Sequence, residues 1–160
     1  VLLRRSVRAN LLFALSASGY ARQTRVELAE KWMHQGKLAH LVDQPARRLS
    51  GGAQQRLSLV RALCCNPEIL FLDEPCAHLD VNAAQDVEAL IKSAIEAGIK
   101  VVMITHDRAQ ARRFGGEILL MEGGQVKAQE GAALFFGPSQ NPWTQAFLQG
   151  YEISDAEAET

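Results

Sequence analysis

Long apolar runs are missing from this 160-residue chain. Its uninterrupted apolar stretches are only a few residues each, far short of the roughly 20 needed to cross a bilayer. No secretory leader pattern occurs either. Cysteine is scarce, with Cys64, Cys65 and Cys76 only. The adjacent pair is badly placed to bridge, and no C-x-x-C spacing exists, so a disulfide scaffold and a thiolate metal site are both excluded. The three cysteines read as small buried apolar residues in a reducing cytosol. Internal repeats, low-complexity tracts and sustained heptads are absent, which excludes solenoids and coiled coils. Also missing is any G-x-x-x-x-G-K-[ST] run, the loop that cradles phosphates. Gly36-Lys37 is the only Gly-Lys pair, but Leu38 follows it and Lys31 stands at the first glycine's place. Val1 rather than Met leads the chain, which predicts that the natural N-terminus lies elsewhere.

What is present is ordinary in bulk and uneven in detail. Apolar residues make up 48% and charged residues 22%, as in soluble globular chains, and the length supports one domain core. The net charge of −1 hides an asymmetry. Residues 1–48 hold nine Lys/Arg against three Asp/Glu, whereas residues 49–160 hold eight against fifteen. A basic half either steers towards phosphates or an acidic surface, or is a solvated helical face whose arginines cover apolar surface. The acidic end, 152–160, is expected to fray.

The pattern predicts helices throughout residues 1–48. Ser6 caps the first, and Thr24 with Glu27 forms a capping box for the second, whose inner positions are Val26, Ala29, Trp32 and Met33. Ser50 opens a third helix that ends at Asn66-Pro67. A strand over 69–72, a helix begun by Asp80 with inner residues Val87, Leu90, Ile91 and Ala94, and a strand over 101–104 follow. Continuous apolar strands separated by a helix argue for a parallel sheet covered on both faces. A short helix over about 107–114, a hairpin around Glu122-Gly-Gly-Gln125 and two closing helices complete the chain.

Chemistry concentrates in three places. Asp73-Glu74 end the first strand, at the edge where open α/β sheets bind ligands. An aspartate there holds Mg²⁺ through its water shell, and the next carboxylate orients or deprotonates a water. Alone, the pair also reads as a solvated turn. His106 follows the second strand and is expected on the same edge as Glu74, although alone it reads as a side chain near a turn. Ser50-Gly51-Gly52 starts a helix whose free N–H groups and positive dipole end suit a phosphate. Alone, it reads as a cap.

Order and spacing give these residues their meaning. Leu49-Ser50-Gly51-Gly52-Ala53-Gln54-Gln55-Arg56 is followed, 23 residues after Ser50, by the Asp of Ile69-Leu-Phe-Leu-Asp-Glu-Pro75. Leu79-Asp80 comes next, then Ile104-Thr-His-Asp107. This resembles the signature, Walker B, D-loop and H-loop of ATP-binding-cassette (ABC) ATPases. The resemblance implies a partial P-loop NTPase fold: an ABC helical subdomain at 1–48, and the C-terminal part of the nucleotide-binding core at 49–160. It implies ATP and Mg²⁺ as ligands. Ser50, Gly51, Gly52 and Gln54 would contact ATP held mainly by an opposite subunit in a head-to-tail dimer. Asp73 would serve Mg²⁺, Glu74 would act as base, His106 would hold the γ-phosphate, and Asp80 would work across the interface. It implies an integral membrane permease as partner, a solute-binding protein indirectly, no nucleic acid, and a place on the inner face of the cell membrane.

Two departures stand out: Ala53 replaces the commoner Gln, and Cys76-Ala77-His78 replaces smaller turn residues. More serious is the missing phosphate loop, from which the chain alone is expected to bind ATP poorly and not to turn it over. The runs at 1–10 and 143–148 resemble ATPase subunits of oxyanion importers for tungstate, molybdate or phosphate. The competing readings are a soluble ABC ATPase of translation or DNA repair, and a non-catalytic remnant acting as an interaction module.

Overall fold

The computed structural model of the chain describes residues 2–150. The acidic end expected to fray therefore lies outside the described residues. The chain divides into two compact units after Ile104.

The first unit begins with α1 (Val7–Ala17) and α2 (Arg22–Gln35). Ser6 caps α1 by accepting the Ala9 N–H at 3.3 Å. Val7, Leu11, Ala14 and Leu15 lie one face apart and are buried. Among them sits fully buried Asn10, whose amide accepts the Leu3 N–H and donates to the Leu3, Arg5 and Ser6 carbonyls. The capping box expected at Thr24 does not form. α2 starts two residues earlier, after Ala21, without a side-chain cap. Arg25 reaches back instead to the Tyr20 carbonyl and the Ser16 hydroxyl, and so fixes the entry of the chain. Of the inner positions expected in α2, Ala29 and Met33 are buried, whereas Val26 is exposed.

Two short 3₁₀ turns lead to α3 (Gly51–Leu63), β1 (Ile69–Asp73), α4 (Val81–Glu96) and β2 (Lys100–Ile104). α3 packs against α4. Val87, Leu90, Ile91 and Ala94 are buried on α4, as its periodicity predicts. β1 and β2 pair in parallel, from Ile69↔Lys100 to Asp73↔Ile104, with α4 as the crossover. The sheet is not covered on both faces, contrary to the expectation from its apolar strands. Leu70 is buried, but Phe71 on the other face is 74% exposed and Ile104 60%. The described part of this unit supplies helices to one side only, and β1 and β2 pair only with each other.

The second unit holds α5 (Arg108–Phe114), β3 (Glu117–Glu122), β4 (Gln125–Gly131), α6 (Ala132–Phe135) and α7 (Pro142–Gln149). β3 and β4 form the expected antiparallel hairpin. Gly123 and Gly124 turn it with φ of 57° and 78°, a two-residue geometry that suits glycine. Asn141 caps α7 through the Trp143 and Thr144 amides, with Pro142 at the first helical position. The Glu130 carboxylate on β4 accepts from Ser139 Oγ at 2.7 Å and Thr144 Oγ1 at 2.8 Å, which ties α7 to the hairpin.

Candidate functional site

Ser50 sets the start of α3. Its backbone is extended and its Oγ accepts the Ala53 N–H at 3.3 Å. The two glycines that follow differ. A Cβ on Gly51 would meet nothing within 4 Å, so this residue leaves open space before the helix N-terminus. A Cβ on Gly52 would lie 2.6 Å from the Ala83 Cβ. Gly52 is therefore small because α3 and α4 approach closely; no sequence signal separates the two. Gln54 turns its amide back to the Leu49 carbonyl at 2.8 Å, bracing the residue before the cap.

Asp80 stands at the start of the other helix of this contact. Its carboxylate accepts the Ala83 N–H at 2.9 Å and so caps α4. The structure thus brings the Ser50 and Asp80 helix starts together through Gly52 and Ala83.

Asp73 ends β1, level with Ile104, and is exposed. Glu74 follows with φ of 45°, a left-handed conformation uncommon outside glycine and asparagine. Its N–H donates to the Ile104 carbonyl at 3.0 Å, and its own carbonyl accepts the Ala77 N–H at 3.1 Å. The chain turns sharply there, so Glu74 does not continue the strand that ends at Asp73. His78, at φ 61°, makes a second left-handed step before Asp80. Strain of this sort, on the order of 1–3 kcal/mol per residue, persists where the surroundings over-determine it. The step at Glu74 is not legible in the sequence, because glutamate is not among the residues enriched there.

His106 is exposed and belongs to the second unit, next to Asp107, which caps α5 by accepting the Ala109 and Gln110 amides. No group of three His, Cys, Asp or Glu among the described residues forms a metal cage. The exposed Asp73 carboxylate fits a cation that arrives with phosphates and keeps most of its waters. The cysteines are not all buried as expected. Cys64 is buried, Cys65 is exposed and Cys76 lies between. Burial, and then the neighbouring Cys65, pushes the Cys64 thiol up to about 12. No helix among the described residues is long and apolar enough to cross a membrane.

Residues 2–77 match the model of a family described as ABC transporter. The chain is 33% identical over 129 residues to the arginine transport ATP-binding protein ArtP of Escherichia coli (strain K12), covering 81% of this chain and 52% of that protein. It is 30% identical over 145 residues to the methionine import ATP-binding protein MetN 2 of Oenococcus oeni, covering 90% and 41%. Its fold is similar to a solved dimer of an ATP-binding cassette in a post-hydrolysis state, bound to ADP and Pi. The TM-score is 0.72 at 29% identity, over 82% of this chain and 59% of that one. The chain spans about half the length of the curated relatives it matches.

Proposed function

We propose that this chain, which carries ABC transporter ATP-binding-domain sequence on an ABC ATPase fold, is part of a subunit whose ATP binding and hydrolysis drive solute import through a membrane permease. The observation that carries the reading is the Asp73-Glu74 end of β1, turned by the left-handed backbone at Glu74. A carboxylate fixed in that way is positioned by the fold rather than by a flexible loop.

In this reading the protein works as a head-to-tail dimer. Ser50 and the amides at the open Gly51 start of α3 receive the γ-phosphate of ATP held mainly by the other subunit. Glu74 holds the attacking water and takes its proton. His106 donates to the γ-phosphate, and Asp80 works across the dimer interface. Gln54 acts by bracing the Leu49-Ser50 turn. Mg²⁺, held through water by Asp73, would neutralise charge developing on the phosphates. Residues 1–48 face the permease, so the subunit sits peripherally on the inner side of the cell membrane. A solute-binding protein takes part only indirectly.

The names of the relatives, arginine transport and methionine import, support the importer over a translation or repair ATPase. For the solute we propose an oxyanion such as tungstate, molybdate or phosphate, supported by the runs at 1–10 and 143–148 alone. The relatives' names lend that class no support.

The test is Glu74→Gln in the full-length protein that contains this chain. ATP binding and ATP-driven dimerisation should persist while turnover falls by roughly 10²- to 10⁴-fold, the worth of a general base. Hydrolysis at the parent rate would overturn the assignment of Glu74. A parent that binds no ATP would favour the interaction module.

A further inference from the structure

In the first unit, α2, α3, α4 and the link into β2 line an open cleft of about 360 Å³, a volume typical of small-molecule sites. One wall is apolar, made by Trp32, Leu90 and Ile99. The cleft's lining also carries three cations, Lys31, Lys37 and Arg56, and a single carboxylate, Asp86. Asp86 is already shared: Lys37 Nζ lies 2.5 Å from one oxygen and Arg56 Nη1 lies 3.3 Å from the other. Three cations against one anion leave the lining with a net charge of +2, and Lys31 has no ion-pair partner among the described residues. The nucleotide chemistry proposed above does not use this cleft.

We propose that the cleft binds an amphipathic organic anion: one carboxylate on an apolar body. The apolar wall and the cations select this class together. A wholly polar anion such as free phosphate would leave its oxygens against Leu90 and Ile99 without partners, which is costly. A cation of the same apolar body would meet the unpaired charge of Lys31. An amphipathic anion places its head on the Lys31 ammonium and its body against the Trp32 ring. Arg56 links this site to the start of α3. The guanidinium that pairs with Asp86 also donates from Nε to the Gly36 carbonyl at 3.0 Å, and its Nη1 lies 3.7 Å from where a Gly52 Cβ would stand.

The test uses tryptophan emission, because Trp32 lines the cleft and Trp143 is the only other tryptophan. In the Trp143→Phe chain, octanoate should change Trp32 emission saturably, whereas octylamine and acetate should not. Lys31 is exposed, so Lys31→Gln should fold normally and weaken octanoate by about tenfold, the loss of one hydrogen bond to a charged group. An unsaturable response, an equal response to octylamine, or unchanged affinity in Lys31→Gln would overturn the proposal. So would loss of the response in Phe71→Asp, which would place the ligand on the bare sheet face instead.

Discussion

Gly52→Ala isolates the contact that joins the two helix starts. The added Cβ would lie 2.6 Å from the Ala83 Cβ, about 1 Å inside an ordinary carbon contact. Both atoms sit directly on backbone, so no side-chain torsion relieves the clash, and α3 and α4 must part. Overpacking of this kind costs about 1–3 kcal/mol. A helical alanine returns up to about 1 kcal/mol over glycine. The net expectation is destabilisation by about 1–2 kcal/mol, which lowers Tm by roughly 2–8 °C in a chain of this size. Thermal and urea unfolding of the chain measure it directly. Gly51→Ala is the comparator, since its Cβ would meet nothing within 4 Å, and it should be neutral or mildly stabilising. Adding Ala83→Gly to Gly52→Ala should recover most of the loss, giving a coupling that neither single change shows. Equal stability of the two alanine variants, or no recovery in the double variant, would refute the close-approach account of Gly52.

Ser50→Arg in the full-length protein should weaken ATP-driven dimerisation by at least about tenfold while monomeric nucleotide binding stays intact; loss of binding in the monomer would count against a role in trans. Cys65 should alkylate readily at pH 8 and Cys64 hardly at all, because with its thiol near 12 only about one part in ten thousand is thiolate, and peptide mapping after iodoacetamide would tell. The fold prefers the protonated Cys64 thiol, so its stabilising contribution is complete below about pH 9 and is lost as pH climbs towards about 12. Alkaline denaturation of Cys64→Ala beside the parent would reveal that term.

Much of this structure was legible in the sequence because it depends on neighbours along the chain. Ser6, Ser50 and Asp80 cap the helices they were expected to cap, and α4 buries the stripe its period marks. The strand–helix–strand order delivered the parallel pair, and two glycines delivered the hairpin. What escaped depends on contacts distant in sequence. Nothing local distinguishes Gly51 from Gly52, since the difference is made by Ala83 on another helix. The left-handed step at Glu74 runs against residue preference, and both it and the step at His78 are imposed by the turn that joins β1 to α4. The start of α2 followed Arg25 and its reach to Tyr20, not the box at Thr24. Cys65 was misjudged because adjacent helix-end residues face different ways, one inward and one to solvent. As for the candidate site, the identities of Asp73, Glu74 and Ser50 were readable as chemistry, whereas the backbone that aims them was not.

The one-sided sheet inverts a familiar ranking of amide protection. In most α/β cores the central strands exchange their hydrogens last, since helices shield both faces and neighbours occupy both edges. Among the described residues β1 and β2 each keep one edge unpaired, with Phe71 and Ile104 open to water above them. The slowest amides of the first unit should then belong to α3 and α4, around fully buried Leu57, Val60, Val87 and Ile91. Whatever covers the bare face would be registered first in β1 and β2, as protection gained in strands that had none to spare.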